Sequence, residues 1–198
     1  ALDVLSTPNG RVTWACTGGT DGAVALWCLD DAEIMRPSSV FERAHQSGVN
    51  AISIAFVNGD SNTLVIVSGG DDQVLRVQTI RFDCGRGESK PHLIGTFNFS
   101  HSSAVRAVWS DGVRIISTSV DQRVKVWDIT YDDDDDNSYD DEIETETKGA
   151  IAITPRFGIA TQAPEPEAID VCPSSASDAL ILVVAGRGYE IFEIANHP

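Results

Sequence analysis

The chain has 198 residues, 42% of them hydrophobic, and no apolar run as long as the ~18 residues that a membrane-spanning helix needs. Its formal net charge is −16 at pH 7, but ten of the thirty acidic residues lie between positions 132 and 146. The remainder carries a charge of −6 and lacks the clustered Lys and Arg that tight nucleic-acid binding requires. The sequence therefore indicates a globular domain without membrane contact and with at most an indirect contact with nucleic acid.

The four cysteines are spread over the chain, at Cys16, Cys28, Cys84 and Cys172. None forms a CxxC pair, and zinc sites need more closely spaced ligands, so no metal is predicted. Reduced thiols packed in a cytoplasmic protein are the simpler interpretation.

In chain order, the first elements to recur are polar turns that carry an aspartate and lead into a strand of alternating apolar residues. The turn aspartates are Asp21, Asp72 and Asp121, which are 51 and 49 residues apart. Repeats of about 40–50 residues, built from short strands and polar turns, are typical of radial all-β architectures. Such a fold predicts binding through loops rather than catalysis.

The position six residues after each aspartate holds Trp27, Gln78 and Trp127, and Phe192 is its equivalent in a fourth unit. The last interval is 65 residues, an excess of about fifteen that equals the acidic insertion. The predicted units are 1–44, 45–99, 100–160 and 161–198. Alternation predicts strands at 1–5, 12–18, 23–29 and 39–43, at 50–56, 63–68, 74–80 and 93–99, at 104–109, 113–119, 123–129 and within 150–160, and at 168–172, 180–186 and 189–194.

The acidic segment, residues 131–148, is predicted to be a disordered surface loop, because charge of this density repels itself and buries nothing. A solvated spacer and a contact for a basic partner both remain open. The run lacks the spaced ligands and turn glycine of a helix-loop-helix calcium site. Ser138, followed by Tyr139, Asp140 and Asp141, is a candidate phosphorylation site.

Hydroxyl and histidine side chains recur with the aspartates. A hydroxyl lies four residues before each turn aspartate, and a histidine precedes the inner strand in two units. The resulting sets are Thr17, Asp21 and Trp27, then His45, Ser68 and Asp72, and then His101, Ser117, Asp121 and Trp127. The third set, together with the dipeptide Trp127-Asp128, resembles the repeat pattern of the WD-repeat family of β-propellers. The resemblance to this family covers the whole chain, is strong in the third unit and is partial in the others.

That resemblance implies an all-β fold of about four propeller blades, in which each set forms a hydrogen-bonded chain from Trp through Ser or Thr and His to Asp. A hydrolase is the alternative for His, Ser and Asp together. No Gly-x-Ser-x-Gly elbow surrounds either serine, and the set recurs once per unit, as a packing device would. We therefore expect a structural role, no catalytic residues and no cofactor.

Three segments, residues 45–50, 117–127 and 186–192, further resemble the C-terminal part of the WD-repeat partner subunits of tRNA anticodon-loop 2′-O-methyltransferases. This resemblance implies a non-catalytic accessory subunit. The methyltransferase catalytic subunit would bind the methyl donor, and the propeller would help to place tRNA for methylation of the wobble ribose.

Two groups of residues are candidate contacts for such partners. Propeller topology places the first group on one face. The second is the only local concentration of basic residues, although solvent-facing positions of amphipathic strands are the simpler explanation for it. The first group is Gln46, Gln73 and Gln122, and the second is Arg106, Arg114, Arg123 and Lys125.

A substrate receptor of a cullin-type ubiquitin ligase is the second hypothesis, and a generic protein-interaction propeller is the third. Such receptors often carry Arg two residues after Trp-Asp, where this chain has Thr130. We also expect the four blades to belong to a larger propeller. The last blade lacks an outer strand, and a strand from upstream in the same protein should pair with residues 189–194.

Overall fold

The computed structural model describes residues 1–7, 12–30, 36–57, 60–82, 91–132 and 150–195. Within these ranges all regular structure is β, and none of it is a helix long and apolar enough to span a membrane. The first sheet contains β1 (Leu2–Ser6), β2 (Thr13–Gly18), β3 (Val24–Cys28) and β4 (Ser39–Phe41). The second contains β5 (Val49–Val57), β6 (Asp60–Gly70), β7 (Val74–Phe82) and β8 (Pro91–Ser100).

The third sheet contains β9 (Val105–Ser110), β10 (Arg114–Ser119), β11 (Arg123–Asp132) and β12 (Ala150–Ala160). The fourth contains β13 (Ala168–Pro173), β14 (Ala179–Ala185) and β15 (Tyr189–Ala195). In every sheet, strands that follow one another in the chain are antiparallel neighbours. We call the sheets blades 1 to 4. The predicted all-β fold of four blades, the last with three strands, is confirmed.

The blades pack face to face, with the first strands β1, β5, β9 and β13 adjacent in that order. Each strand alternates side chains between its two faces, so each blade contributes apolar residues to the cores on both sides of it. One core lies between each pair of neighbouring blades. Trp14 of blade 1 stacks on Phe82 of blade 2 within the first core, with ring centroids 4.4 Å apart.

The beginning of the acidic segment differs from its prediction. β11 continues through Tyr131 and Asp132, two residues into the expected loop, and pairs there with the start of β12. Tyr131 also packs against the core between blades 2 and 3 and accepts a hydrogen bond from Arg81. These contacts extend the strand in spite of the adjacent charge. Ser138 and the rest of the segment up to residue 148 lie outside the described residues.

Candidate functional site

The hydrogen-bonded sets lie at one end of the blades, which we call the turn face. This face comprises the second turn of each blade and the connections between blades, residues 19–23, 42–48, 71–73, 101–104, 120–122, 161–167 and 186–188.

In blade 3 the turn face contains a buried His–Ser–Asp set. The Ser117 hydroxyl and His101 Nε2 are 2.7 Å apart, and His101 Nδ1 is 3.0 Å from Asp121 Oδ2. Because a carboxylate only accepts, Nδ1–H donates to Asp121 and Nε2 accepts from Ser117. The Ser102 N–H also donates to Asp121 Oδ2, and the Arg123 N–H donates to Oδ1. One carboxylate therefore anchors both the connection from blade 2 and its own turn.

Blade 2 repeats this geometry. His45 Nε2 is 2.9 Å from the Ser68 hydroxyl, and His45 Nδ1 is 2.9 Å from Asp72 Oδ1. The backbone N–H of Gln46 donates to Asp72 Oδ2, as that of Ser102 does to Asp121. The structure thus brings the predicted residues of both sets together.

Blade 1 forms only the tryptophan part of the chain. The Trp27 Nε1–H donates to the Thr17 hydroxyl over 3.0 Å, and Asp21 accepts the N–H of Ala23 within its own turn. In blade 3, by contrast, Trp127 contacts His101 through its ring, with centroids 6.4 Å apart and planes at 74°. Among the described residues, each of blades 1 to 3 therefore shows part of the implied four-residue chain.

Blade 4 contains a substitute that the sequence interpretation missed. Thr161 occupies the position that His45 and His101 hold in the earlier connections. Its N–H donates to the Gln122 carbonyl, just as the N–H groups of the two histidines donate to a carbonyl in the turn of the preceding blade. Its hydroxyl donates to Glu190 Oε2 over 2.8 Å, and the Gln162 N–H donates to the same oxygen. Glu190 thus supplies the carboxylate from β15, because the short Gly-Arg-Gly turn carries none. The sequence signal was the parallel between His45-Gln46 and Thr161-Gln162.

The carboxylates of these sets have shifted pKa values. Burial acts to raise the pKa of Asp121, but the hydrogen bonds from Ser102, His101 and Arg123 outweigh it and hold the pKa below 3.8. For Asp72, burial acts in the same direction and is outweighed by His45 and two backbone donors. Burial lowers the pKa of His101 below 6.5 in spite of Asp121 beside it. The buried His101 ring is therefore an internal hydrogen-bond bridge between Ser117 and Asp121.

Exposure separates these sets from a hydrolytic site. Ser68 and Ser117 have no exposed surface, so their hydroxyls are closed to a substrate. Within the described ranges, no group of three or more His, Cys, Asp or Glu side chains could hold a metal ion. The His–Ser–Asp sets hold the turns to the connections between blades by hydrogen bonds. The side chains available to a partner are the exposed ones on the turn face around these sets.

Gln78 occupies the position that holds Trp27 and Trp127 in the neighbouring blades. It is buried, at 3% exposure, and its Oε1 has no hydrogen-bond donor among the described residues. A buried acceptor without a donor costs roughly 1–3 kcal/mol. Position 78 is therefore a weak point of the core between blades 1 and 2.

Gln78→Leu should leave the free energy of unfolding unchanged or raise it by about 1 kcal/mol, because it removes the unpaired acceptor at similar volume. Gln78→Glu should lower the free energy of unfolding by several times this value of about 1 kcal/mol, since burial of a carboxylate without a hydrogen-bond partner is costly. Urea denaturation of the two variants provides the comparison. A loss of more than 1 kcal/mol for Gln78→Leu would mean that the Gln78 oxygen does have a donor.

The three predicted glutamine contacts all lie exposed on the turn face. Gln46 follows His45, and Gln73 and Gln122 occupy equivalent turn positions with φ values of 68° and 58°. They remain predictions as partner contacts.

The four predicted basic contacts do not form one surface. Arg114 is buried at the opposite end of β10, beside Asp128, and Arg106 on β9 lies 3.7 Å from Asp71. Lys125 Nζ donates to the Ser100 carbonyl in a groove of about 470 Å³ between blades 2 and 3. Of the four, only Arg123, the first residue of β11, is freely exposed. The prediction that Arg114 contacts RNA is therefore wrong, because its burial beside the Asp128 carboxylate puts it out of reach of a phosphate.

Two stretches of the chain, residues 36–77 and 92–128, match the family model described as WD domain, G-beta repeat. They cover the second and third hydrogen-bonded sets up to Trp127-Asp128. The fold is that of WD-repeat propeller blades. No finding bears on the narrower resemblance to tRNA methyltransferase partner subunits, which remains a prediction.

Solved propellers agree with the WD-repeat fold. Sqt1 of Saccharomyces cerevisiae superposes with a TM-score of 0.58 at 12% identity, over 99% of this chain and 45% of that one. The WD40 propeller domain of Doa1 superposes with a TM-score of 0.53 at 15% identity, over 97% of this chain and 51% of that one. This chain thus spans about half the length of these structures.

One curated protein that matches this chain is a probable inactive protein kinase of Dictyostelium discoideum. It is 21% identical over 131 residues, which are 64% of this chain and 9% of that protein. A match of this size carries no activity over to the blades.

Proposed function

We propose that the chain is a non-catalytic protein-interaction module that acts, in the cytoplasm, as part of an accessory subunit for tRNA wobble 2′-O-ribose methylation. The methyltransferase catalytic subunit is its direct partner, and tRNA is reached through the complex. Residues 45–50, 117–127 and 186–192, which carry the resemblance to such subunits, each include part of the turn face.

The charge of the turn face is the observation that carries the indirect role. Seven acidic residues and two arginines lie in its segments. They are Asp21, Glu42, Asp71, Asp72, Asp121, Glu165 and Glu167, with Arg43 and Arg187; the carboxylates of Asp72 and Asp121 are nearly buried, and the other five acidic residues and both arginines are exposed. Such a surface repels the phosphate backbone and attracts a basic protein surface. The face therefore suits a protein partner, and the substrate RNA would be held mainly by that partner.

Gene loss tests the proposal. Ribose methylation at the wobble nucleotide of specific tRNAs should be absent, while the catalytic subunit is still present and folded. Re-expression of the full-length protein should restore it. Complete wobble methylation in the deletion strain would eliminate this function. If affinity capture then recovered a cullin-ligase adaptor, the receptor hypothesis would take its place.

A further inference from the structure

A groove lies between blades 2 and 3, and we call it the side groove. Its volume is about 470 Å³, within the range of ~300–1,000 Å³ that is typical of ligand sites. Three residues each from β8, β11 and β12 line it. These are the third and fourth strands of their sheets, so the side groove opens at the outer edge of the blades. β8 and β12 form its walls, and β11 forms its floor.

The floor of the side groove carries a cation that no carboxylate neutralises. Lys125 is half-buried, and its Nζ donates to the carbonyl oxygen of Ser100. Among the described residues, Lys125 forms no ion pair and no acidic residue lines the groove. An ammonium group has three N–H donors, and one neutral carbonyl compensates its charge only in part. Because solvent screens a half-buried charge less than an exposed one, this ammonium favours an anionic partner.

Lys125 belongs to a row of side chains on one face of β11. Alternate residues of a strand share a face, so Arg123 and Trp127 each lie on the same side as Lys125, about 7 Å along the strand. Arg123 is exposed. At the other end of the row the surface is apolar, since Trp127 contacts Phe99 with ring centroids 5.3 Å apart and pairs with the exposed Pro155. The row therefore runs from two cations to an apolar end.

The space beside Lys125 depends on a glycine. Gly158 of β12 pairs with Lys125, and a Cβ at position 158 would lie 3.6 Å from the Lys125 side chain. Gly158 does not have the left-handed backbone that favours glycine, so its conformation does not require this residue. A side chain longer than alanine at this position would occupy the groove next to the ammonium group.

Charge and shape favour an acidic peptide over RNA as the occupant. A base needs an open ring face for stacking, but Trp127 is only 4% exposed and Phe99 is half-buried. On the adjacent turn face, exposed acidic residues outnumber exposed arginines and repel a phosphate backbone. An extended peptide repeats its side chains on one face every ~7 Å, which is the spacing along β11.

We propose that the side groove binds an extended segment of a partner protein, with acidic residues at positions i and i+2 and an apolar residue at i+4. The two carboxylates pair with Arg123 and Lys125. The apolar side chain packs against Phe99 and Pro155. This inference is independent of the proposed function, and its ligand has the opposite charge to the basic partner expected at the turn face.

Fluorescence anisotropy tests the proposal with the 198-residue chain and two labelled peptides. Their cores are Asp-Ser-Asp-Ser-Phe and the reverse, Phe-Ser-Asp-Ser-Asp, which cover both directions of the bound segment. We expect one of them to bind, with an affinity that falls as salt is added. Lys125→Gln should weaken binding by about tenfold or more, the loss of a charge-assisted hydrogen bond. Gly158→Leu should abolish binding, because its side chain fills the groove.

The matched controls are Arg187→Gln and Gly188→Leu, at exposed positions in the turn of blade 4. A Cβ at Gly188 meets only ordinary contacts, and both control variants should bind the peptide like the parent chain. Urea denaturation of all four variants should show a retained fold, which separates lost binding from lost folding.

Four results would overturn the proposal. They are failure of both peptides to bind, binding that Lys125→Gln and Gly158→Leu leave unchanged, equal binding of peptides with Lys in place of Asp, and binding of a single-stranded oligouridylate in place of the peptides. If the oligouridylate bound and Lys125→Gln weakened its binding, the side groove would be an RNA site.

Discussion

Asp121→Ala should lower the free energy of unfolding by roughly 1–3 kcal/mol, towards the upper end of that range. The carboxylate is almost fully buried and accepts from His101 and from the backbone N–H groups of Ser102 and Arg123. Alanine leaves these donors unpaired and releases the connection between blades 2 and 3 from the turn of blade 3. Urea denaturation of the variant, followed by tryptophan fluorescence, measures the loss.

The matched control is Asp21→Ala, at the same turn position in blade 1. Asp21 is exposed, and among the described residues it accepts only the N–H of Ala23, so its removal should change stability by about 0.5 kcal/mol or less. Asp133→Ala in the acidic segment, outside the described residues, should also stay within about ±0.5 kcal/mol. Equal losses at positions 121 and 21 would show that the histidine sets do not stabilise the blades.

Gly112→Ala should cost roughly 2–4 kcal/mol, the strain of a left-handed residue together with a backbone displacement. Gly112 lies in the turn between β9 and β10 with φ at +85°, and a Cβ there would collide with the Phe56 carbonyl oxygen of blade 2. Because the atom that the Cβ would meet belongs to the backbone of Phe56, it cannot be moved aside by a side-chain rotation. Either blade 2 or the turn must move, which opens the core between blades 2 and 3. Thermal and urea melts would both record the loss.

Gly158→Ala is the control for this substitution. The added methyl group would meet Lys125 and the Val124 carbonyl at 3.6 Å, an ordinary van der Waals contact. Stability should therefore stay constant or rise by about 0.5 kcal/mol, since alanine restricts the unfolded chain. A Gly112 variant as stable as the Gly158 variant would mean that the turn is free to move away from blade 2.

The strands and the two histidine sets could be predicted because they depend on local pattern. Period-two alternation identifies each strand, and the fixed spacing of Ser117, Asp121 and Trp127 identifies the turn. The third outer strand, β12, could be placed only within residues 150–160, since the acidic segment separates it from β11. Predicting the other strands and the two histidine sets needed no knowledge of distant contacts.

Other features depended on which distant group fills a position. Glu190 reaches the turn face from a strand, so no turn motif announces it. The burial of Arg114 beside Asp128 follows from the register of β10 on β11, which alternation alone leaves undetermined. Gln78 breaks the tryptophan pattern visibly, but its unpaired oxygen becomes evident only when its neighbours are known. In each case the missing information was three-dimensional pairing.

The four sheets share no strand ladder, yet one residue in each connection bonds to both of the blades that it joins. The N–H of His45 donates to Gly22 of blade 1 while its ring bonds Asp72 of blade 2, and His101 and Thr161 repeat this across the next two junctions. These residues couple neighbouring sheets that share no strand pairing. Opening one junction therefore breaks hydrogen bonds to both of the adjacent blades. The backbone amides of these three residues should exchange with deuterium in a single slow kinetic class, and the arc should open as one cooperative unit rather than blade by blade.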